Sequence, residues 1–365
     1  MERFVLLRPR PEIAKLDAGV HGGIDYAELK ARGISPEDVL DFSVCTNPFM
    51  PPPGIKKALN RVPWDRYPDS AAGQLRERLS QKLGLGPENI LVGSGTTELI
   101  RLIAQVYLER GDRALILEPT FSEYGAACGL AGAEVIRWRA LPEAGFKPDI
   151  AGLARLIREH RPKVAFICNP NNPTGVYLGK ETVEAVLNAG EGLLVLDEAY
   201  AGFVERRWPS AGLLAAGNLV ILRSMTKDYG LAGLRLGYAL ARNEIIAAIR
   251  KACPPWNVNS LAQTAGLHVL ESDRFLDETR RRINTLKSFL VKRIAGLGLE
   301  VLPSDTHYFL VKTPDARRLR AALLERGILV RDCASFGLPE YLRISPRPMT
   351  ACRRLIAGLR HELGR

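Results

Sequence analysis

The sequence is poor in paired cysteines, histidines and long apolar runs, and each absence narrows the class of protein. Its six cysteines form no C-x-x-C pair, which argues against a disulfide framework and a thiolate metal site. The five histidines show no metal-ligand spacing, so we expect no metal. No apolar run reaches the roughly 18 residues that a membrane span needs. The apolar run near the start has only four residues, too few for a signal peptide. We therefore expect a cytoplasmic protein that makes no membrane contact.

The net charge of +11 comes from basic residues that are spread along the chain. The densest run, Arg280 to Arg282, lies in a pattern typical of an amphipathic helix, where it forms a solvated face. A dispersed positive charge suits an enzyme that attracts small anions. Because no nucleic-acid-binding motif accompanies the charge, we expect no nucleic-acid partner.

The first two thirds of the chain predict a large α/β domain. From about residue 73, helical patterns alternate with short apolar runs, which predicts a mainly parallel sheet with helices on both faces. The runs that predict strands are 89–93, 114–117, 133–138, 164–168, 192–197, 219–223 and 235–240. In such a sheet the ligand binds at the carboxyl ends of the strands, so functional side chains are expected just after these runs.

The alternation breaks at Pro254 and Pro255, and the remainder predicts a smaller α+β domain. Helical patterns cover 260–297, and short strand patterns follow at 308–311, 328–331 and 341–344. The proline-rich opening predicts an irregular arm. We therefore divide the chain into an arm that joins the small domain (1–47), a large domain (48–254) and the small domain (255–365).

Two groups of polar residues follow predicted strands late in the large domain. Asp197-Glu-Ala-Tyr200 follows the strand 192–197, where the aspartate could cap a helix or pair with a protonated ring nitrogen. Lys227 follows the strand 219–223. A lone lysine there is usually a surface residue, but Ser224, Thr226 and Arg235 add hydroxyl donors and a cation. An amine with such neighbours suits a phosphorylated aldehyde.

Two further groups follow earlier strands. Asn169-Pro-Asn-Asn-Pro-Thr-Gly175 follows the strand 164–168, and on its own it could be only a tight turn. Gly93-Ser-Gly-Thr-Thr-Glu98 leads from a strand into a helix, whose first backbone N–H groups favour a phosphate.

Together and in this order, the four groups resemble the fold-type I pyridoxal-phosphate (PLP) enzymes of the aspartate aminotransferase superfamily. The resemblance extends from about Asp41 to Arg343. It implies a large PLP-binding domain with a helix-flanked, mainly parallel sheet, and a smaller α+β C-terminal domain.

The resemblance assigns roles to matching residues. Lys227 would bind the cofactor aldehyde as a Schiff base and later move protons, and Asp197 would keep the pyridine nitrogen protonated. Asn172 and Tyr200 would hydrogen-bond the ring 3-oxygen, and Tyr124 would stack on the ring. The residues expected around the phosphate are Gly95, Thr96, Ser224, Thr226, Arg235 and Tyr67. In the superfamily that tyrosine comes from the partner subunit, so a homodimer with shared active sites is implied.

Two segments suggest a substrate. Residues 330–343 and the early His21-Gly-Gly23 resemble the threonine-phosphate decarboxylases of cobalamin biosynthesis. Ile24 stands where that family usually has asparagine. The resemblance implies decarboxylation of L-threonine O-3-phosphate to (R)-1-amino-2-propanol O-2-phosphate. Arg343 would bind the substrate carboxylate and Arg331 a second anion, while His21 and Asn47 would lie in the phosphate pocket.

Two alternatives remain for the activity. Histidinol-phosphate aminotransferases share nearly the whole framework and also take a phosphorylated amine. A regulator that binds PLP without catalysis is a more remote alternative, because fold alone does not fix function.

Overall fold

The computed structural model of the chain describes residues 8–14, 16, 19–49, 52–272 and 274–364. Residues 1–7, 15, 17 and 18 of the predicted arm lie outside this description. The helices of the described residues are α1 (Pro11–Ala14), α2 (Tyr26–Arg32), α3 (Ile55–Leu59), α4 (Gly73–Leu83), α5 (Thr96–Tyr107), α6 (Glu123–Ala131), α7 (Ile150–His160), α8 (Lys180–Ala189), α9 (Met225–Asp228), α10 (Asn243–Ala252), α11 (Ser260–Leu270), α12 (Phe275–Ala295), α13 (Ala316–Leu324) and α14 (Met349–Glu362). The strands are β1 (Leu40–Asp41), β2 (Ile90–Gly93), β3 (Arg113–Glu118), β4 (Glu134–Arg139), β5 (Val164–Cys168), β6 (Leu193–Asp197), β7 (Leu219–Ser224), β8 (Gly237–Leu240), β9 (Phe309–Lys312), β10 (Ile328–Leu329), β11 (Arg331–Cys333) and β12 (Leu338–Ile344).

The large sheet has the strand order β2-β8-β7-β6-β5-β3-β4. The strands from β7 to β4 in this order are all parallel, whereas β8 runs antiparallel to both β2 and β7. The predicted α/β class with a mainly parallel sheet is therefore confirmed. The direction of β8 is not visible in its sequence, because an apolar run carries no sign of which way its strand points.

Both faces of this sheet are buried under helices. In β5, Ala165 and Ile167 pack into one hydrophobic cluster with α4, α7, α8 and α11. The alternate residues Val164 and Phe166 pack into a second cluster with α5, α6 and α10. Successive side chains of a strand point to opposite faces, so burial on both faces explains the uninterrupted apolar sequence of β5.

The small domain packs α12, α13 and α14 on the antiparallel sheet β11-β12-β9. The start of the chain takes part in it, since β1 pairs in parallel with β10 and Phe42 is fully buried in the same core. The division of the chain at residue 254 stays a prediction. Because α11 packs on α3 and α4, with Ala262 and Ala265 in the large core, we propose a boundary between α11 and α12. Among the described residues, no helix combines the length and apolarity that crossing a bilayer requires.

Candidate active site

An inner cavity lies where β5, β6 and β7 end. These strands are neighbours in the sheet, and their last residues are Cys168, Asp197 and Ser224. Parallel strands end at one edge, so motifs distant in sequence meet there. The cavity is lined by Thr96, Thr97, Phe121, Tyr124, Cys168, Asn172, Asp197, Ala199, Tyr200, Ser224, Thr226, Lys227 and Arg235. Most of the residues predicted to bind the cofactor are therefore brought together.

Asp197 is buried at the floor of this cavity. Its Oδ2 accepts a 2.8 Å hydrogen bond from the Tyr124 hydroxyl, and its Oδ1 accepts a 3.0 Å bond from the Ala199 N–H. Burial raises the pKa of Asp197 to about 6, and the two hydrogen bonds oppose this rise. A protonated heterocyclic nitrogen at this place would supply the positive charge that stabilises the carboxylate.

Lys227 lies on the single turn of α9, and its amine lines the cavity. Asn47 holds the backbone of this turn in place. Its N–H donates to the Lys227 carbonyl (2.9 Å), and its Nδ2 donates to the Asp228 carbonyl (2.8 Å). Burial lowers the pKa of Lys227, and the positive charges of Arg343 and Arg235 lower it further. A lowered pKa increases the fraction of neutral amine, which is the nucleophilic form.

The N-terminus of α5 and Arg235 form a pocket for an anion. A Cβ at Gly95 would lie 2.7 Å from Arg235 Nη2, so only glycine leaves the guanidinium in place beside this helix end. The Thr226 hydroxyl holds the adjoining chain, donating to the Leu236 carbonyl (3.1 Å) and accepting from its N–H (3.2 Å). Unpaired N–H groups at a helix start, together with a cation, favour phosphate.

The donor set of the inner cavity fits PLP. The cofactor has three groups that a protein must bind, an aldehyde, a ring nitrogen and a phosphate. Lys227 offers an amine, Asp197 a buried carboxylate, and Gly95 with Arg235 a phosphate pocket. All three adjoin one cavity.

A wider outer cavity of about 490 Å³ opens above Lys227. It is shared by both domains and the chain start, and is lined by Val20, His21, Gly22, Val44, Cys45, Thr97, Arg101, Phe121, Ser122, Glu123, Asn172, Tyr200, Lys227, Arg235, Arg331, Phe336 and Arg343. Its volume is in the range of small-molecule sites.

Arg331 and Arg343 lie directly opposite each other in the register of β11 and β12. Both are buried. Arg343 donates to Asn172 Oδ1 and to the Ser43 carbonyl (2.6 Å), and Arg331 donates to the Val20 carbonyl (2.8 Å). The Nε atoms of both arginines have no hydrogen-bond partner within the described part of the chain. Buried donors are normally satisfied, so the pair is suited to bind an anion.

Three predicted site residues have surroundings that the sequence did not indicate. Tyr67 is 78% exposed and stacks on Trp256 with a ring separation of 4.2 Å, away from both cavities of its own chain. Asn47 lies behind Lys227 rather than among the residues that line the cavities. The Tyr124 ring stacks on Phe166 at 5.1 Å, while its hydroxyl reaches the cavity floor. The predicted roles of these residues stay predictions.

Several residues that line the outer cavity were not predicted from the sequence. Glu123 is buried and binds His21 Nε2 through Oε1 (3.2 Å) and Arg101 Nη2 through Oε2 (3.0 Å). A signal existed, because Glu123 directly precedes Tyr124 and begins α6. Thr97 and Arg101 are four residues apart on α5, so they share one helix face.

The chain is similar to known proteins both in sequence and in structure. Residues 37–359 match the family Aminotransferase class I and II. A histidinol-phosphate aminotransferase of Symbiobacterium thermophilum is 38% identical over 91% of this chain and 93% of its own. The structure of histidinol-phosphate aminotransferase from Sinorhizobium meliloti in complex with pyridoxal-5′-phosphate has a TM-score of 0.87, at 24% identity over 100% of this chain and 99% of that one. L-threonine-O-3-phosphate decarboxylase from Porphyromonas gingivalis has a TM-score of 0.77 at 29% identity, over 89% and 99%.

These comparisons correct the predicted activity. The predicted decarboxylation of L-threonine O-3-phosphate is wrong. The curated relatives at 33–38% identity include histidinol-phosphate aminotransferases of several bacteria, which favours the alternative activity. The early His-Gly-Gly motif misled for a physical reason. A Cβ at Gly22 would lie 2.7 Å from the Ser43 carbonyl and 3.3 Å from Arg343 Nη2. Glycine is needed there for the arm to pack over the site, so this glycine has a packing role that does not depend on which reaction follows.

The resemblance to fold-type I PLP enzymes is confirmed by the family match and by the fold. The cofactor is pyridoxal 5′-phosphate, and the chain belongs to the aminotransferase class I and II family.

Proposed function

We propose that the protein is an aminotransferase that acts on histidinol phosphate. The amino group passes to a 2-oxo acid, whose carbonyl oxygen is exchanged for it, so that the products are the ketone phosphate and an amino acid. The observation that carries this proposal is the 38% identity to a histidinol-phosphate aminotransferase over nearly the whole of both chains.

The two opposed arginines support a phosphorylated substrate. Histidinol phosphate has no carboxylate, so Arg331 and Arg343 are both available for its phosphate dianion. A guanidinium binds phosphate oxygens with parallel hydrogen bonds. Because the substrate offers no carboxylate to release, the bond broken at its amine-bearing carbon is the C–H bond.

When bound, the cofactor supplies an electron sink that weakens the bonds of the amine-bearing carbon. Lys227 Nζ would take the proton from that carbon, and in the second half of the exchange it would deliver a proton to the former carbonyl carbon of the 2-oxo acid. Its lowered pKa makes the neutral amine available for this transfer. Asp197 would keep the ring nitrogen protonated by accepting its hydrogen bond, and the arginine pair would orient the substrate so that its C–H bond faces Lys227.

We also propose that two copies of the chain share their active sites. Tyr67 and Trp64 are 78% and 92% exposed, and such large aromatic surfaces favour burial against another chain. In the dimer, the Tyr67 hydroxyl of one protomer reaches the cofactor phosphate of its partner.

The test uses purified protein loaded with PLP, incubated with histidinol phosphate and 2-oxoglutarate. We expect the ketone phosphate and glutamate to form in equal amounts. L-Threonine O-3-phosphate serves as a control and should release no carbon dioxide. Absence of glutamate formation from histidinol phosphate would overturn the proposal.

A further inference from the structure

The outer cavity contains one negatively charged residue, and the proposed reaction does not use it. Among its described lining residues, Glu123 carries the only carboxylate, whereas Arg101, Lys227, Arg235, Arg331 and Arg343 are cationic. The arginine pair and Lys227 account for the phosphate and the reacting amine of the substrate. Glu123, which contacts His21 and Arg101, has no role in binding either of these two groups.

Glu123 is buried, whereas its two partners are about half exposed. Its side chain is only 7% exposed, at the start of α6 and next to the buried Tyr124. His21 and Arg101, which bind its two oxygens, are 48% and 54% exposed. Ion pairs with exposed partners are weak, because water and salt compete for each charge. A ligand entering the cavity can therefore replace His21 at little cost.

His21 already presents the chemistry of the replacing group. Its imidazole Nε2 lies 3.2 Å from Glu123 Oε1, and its ring is 5.8 Å from the Phe121 ring. A carboxylate accepts from an imidazole N–H, and the nearby aromatic ring adds an apolar wall. The space beside Glu123 and Phe121 is thus occupied by an imidazole, that of His21 on the exposed arm.

We propose that Glu123 is the specificity residue that accepts a hydrogen bond from the substrate imidazole, which displaces the ring of His21. This inference rests on the proposed function, because it assumes a substrate that carries an imidazole. The site prefers amines with a ring N–H over amines with an apolar ring, since the latter leave Glu123 to the weaker contact with His21.

The test compares histidinol phosphate with its phenyl analogue, 2-amino-3-phenylpropyl phosphate, as substrates of the PLP-loaded enzyme. Glu123→Met removes the acceptor, and Glu123→Gln keeps a weaker one. For histidinol phosphate we expect KM to rise roughly 10- to 100-fold in Glu123→Met and less in Glu123→Gln. For the phenyl analogue we expect KM to stay level or fall. Glu118→Gln, which alters an ion pair with Arg137 outside the outer cavity, is the matched control.

The variant His21→Ala shows whether Glu123 recognises the substrate or only holds the arm in place. If Glu123 receives the substrate imidazole, removing the competing ring should lower KM for histidinol phosphate. If Glu123 only anchors the arm through His21, then His21→Ala and Glu123→Met should raise KM for both substrates alike, which would overturn the inference. Equal KM of wild type and Glu123→Met for histidinol phosphate would also overturn it. A wild-type enzyme that is inactive on histidinol phosphate would instead show that the proposed function has failed.

Discussion

The hydroxyl of Tyr124 donates a 2.8 Å hydrogen bond to Oδ2 of Asp197 inside a fully buried contact. The bond stabilises the carboxylate form, and burial alone would raise the pKa of Asp197 further than its value of about 6. The ionised carboxylate is the form that pairs with a protonated ring nitrogen. The protein therefore binds the cofactor most tightly above the pKa of Asp197, and the affinity falls as the pH drops through that pKa.

Tyr124→Phe should move this loss of cofactor affinity to higher pH. A hydrogen bond to a charged group is worth about 1.5–3 kcal/mol, so its removal raises the pKa of Asp197 by at least roughly one pH unit. The measurement is a fluorescence titration of cofactor-free protein with PLP between about pH 5 and pH 8. Tyr177→Phe removes a tyrosine hydroxyl that contacts the Trp208 N–H outside both cavities and should leave the midpoint unchanged. An unshifted midpoint in Tyr124→Phe would contradict the assigned contact.

Lys227→Ala should abolish the absorbance band of the Schiff base, which differs from the band of the free aldehyde, and with it all amine transfer. The reason is that no other described amine lines the inner cavity, so the covalent link cannot form. Lys287→Met is the matched control. Lys287 is also largely enclosed, and burial lowers its pKa to about 8, but its Nζ donates to the carbonyls of Ser304 and Thr306. Its loss should reduce thermal stability and leave the absorbance intact. An absorbance that survives in Lys227→Ala would exclude this lysine.

Arg343→Lys should raise KM for a phosphorylated amine by roughly 10- to 100-fold, because an ammonium group cannot reproduce the planar fork of a guanidinium. Steady-state kinetics of amine transfer would measure the change. Arg347→Lys provides a control, since Arg347 is partly buried and binds the backbone carbonyls of Asp41 and Val44. Equal effects of the two substitutions would indicate that Arg343 only supports the fold.

Shared active sites predict complementation between two inactive variants. Subunits with Lys227→Ala and subunits with Tyr67→Ala each form poorly active dimers. When the two variants are mixed in equal amounts and exchange subunits, every mixed dimer contains one site in which both residues are intact. Since half of the dimers are mixed and each has one intact site, roughly a quarter of wild-type activity should return. Activity that stays at the level of the separate variants after confirmed subunit exchange would contradict the shared site.

Much of the inner cavity could be predicted from the sequence because each part of it is local. The lysine, the aspartate and the phosphate-binding turn each follow a strand, and parallel strands bring their ends to one edge whatever the chain between them does. The pairing of Glu123 with His21 and Arg101 could not be predicted in this way. It joins α6, the arm and α5, and no periodicity relates these positions. The same holds for Asn47, whose contact with the backbone of Lys227 depends on how the arm crosses the domain.

The choice of reaction was the least predictable part. Arg331 and Arg343 face each other across β11 and β12. Such a pair can bind either one phosphate or a phosphate together with a carboxylate. The sequence identifies the two guanidinium groups, but it does not identify the anion between them. A glycine that packing requires, such as Gly22, does not identify that anion either.

The pairing of β1 with β10 has a consequence for synthesis of the chain on the ribosome. Leu40 and Asp41 are made early, yet their partners Ile328 and Leu329 emerge only after every strand of the large sheet. Pairings between residues so far apart in sequence close late, because a long loop must first be ordered. We therefore expect the pocket around Lys227 to form on the nascent chain before Arg331 and Arg343 exist beside it. The growing polypeptide then gains its capacity to hold the cofactor first, and its capacity to choose a substrate last.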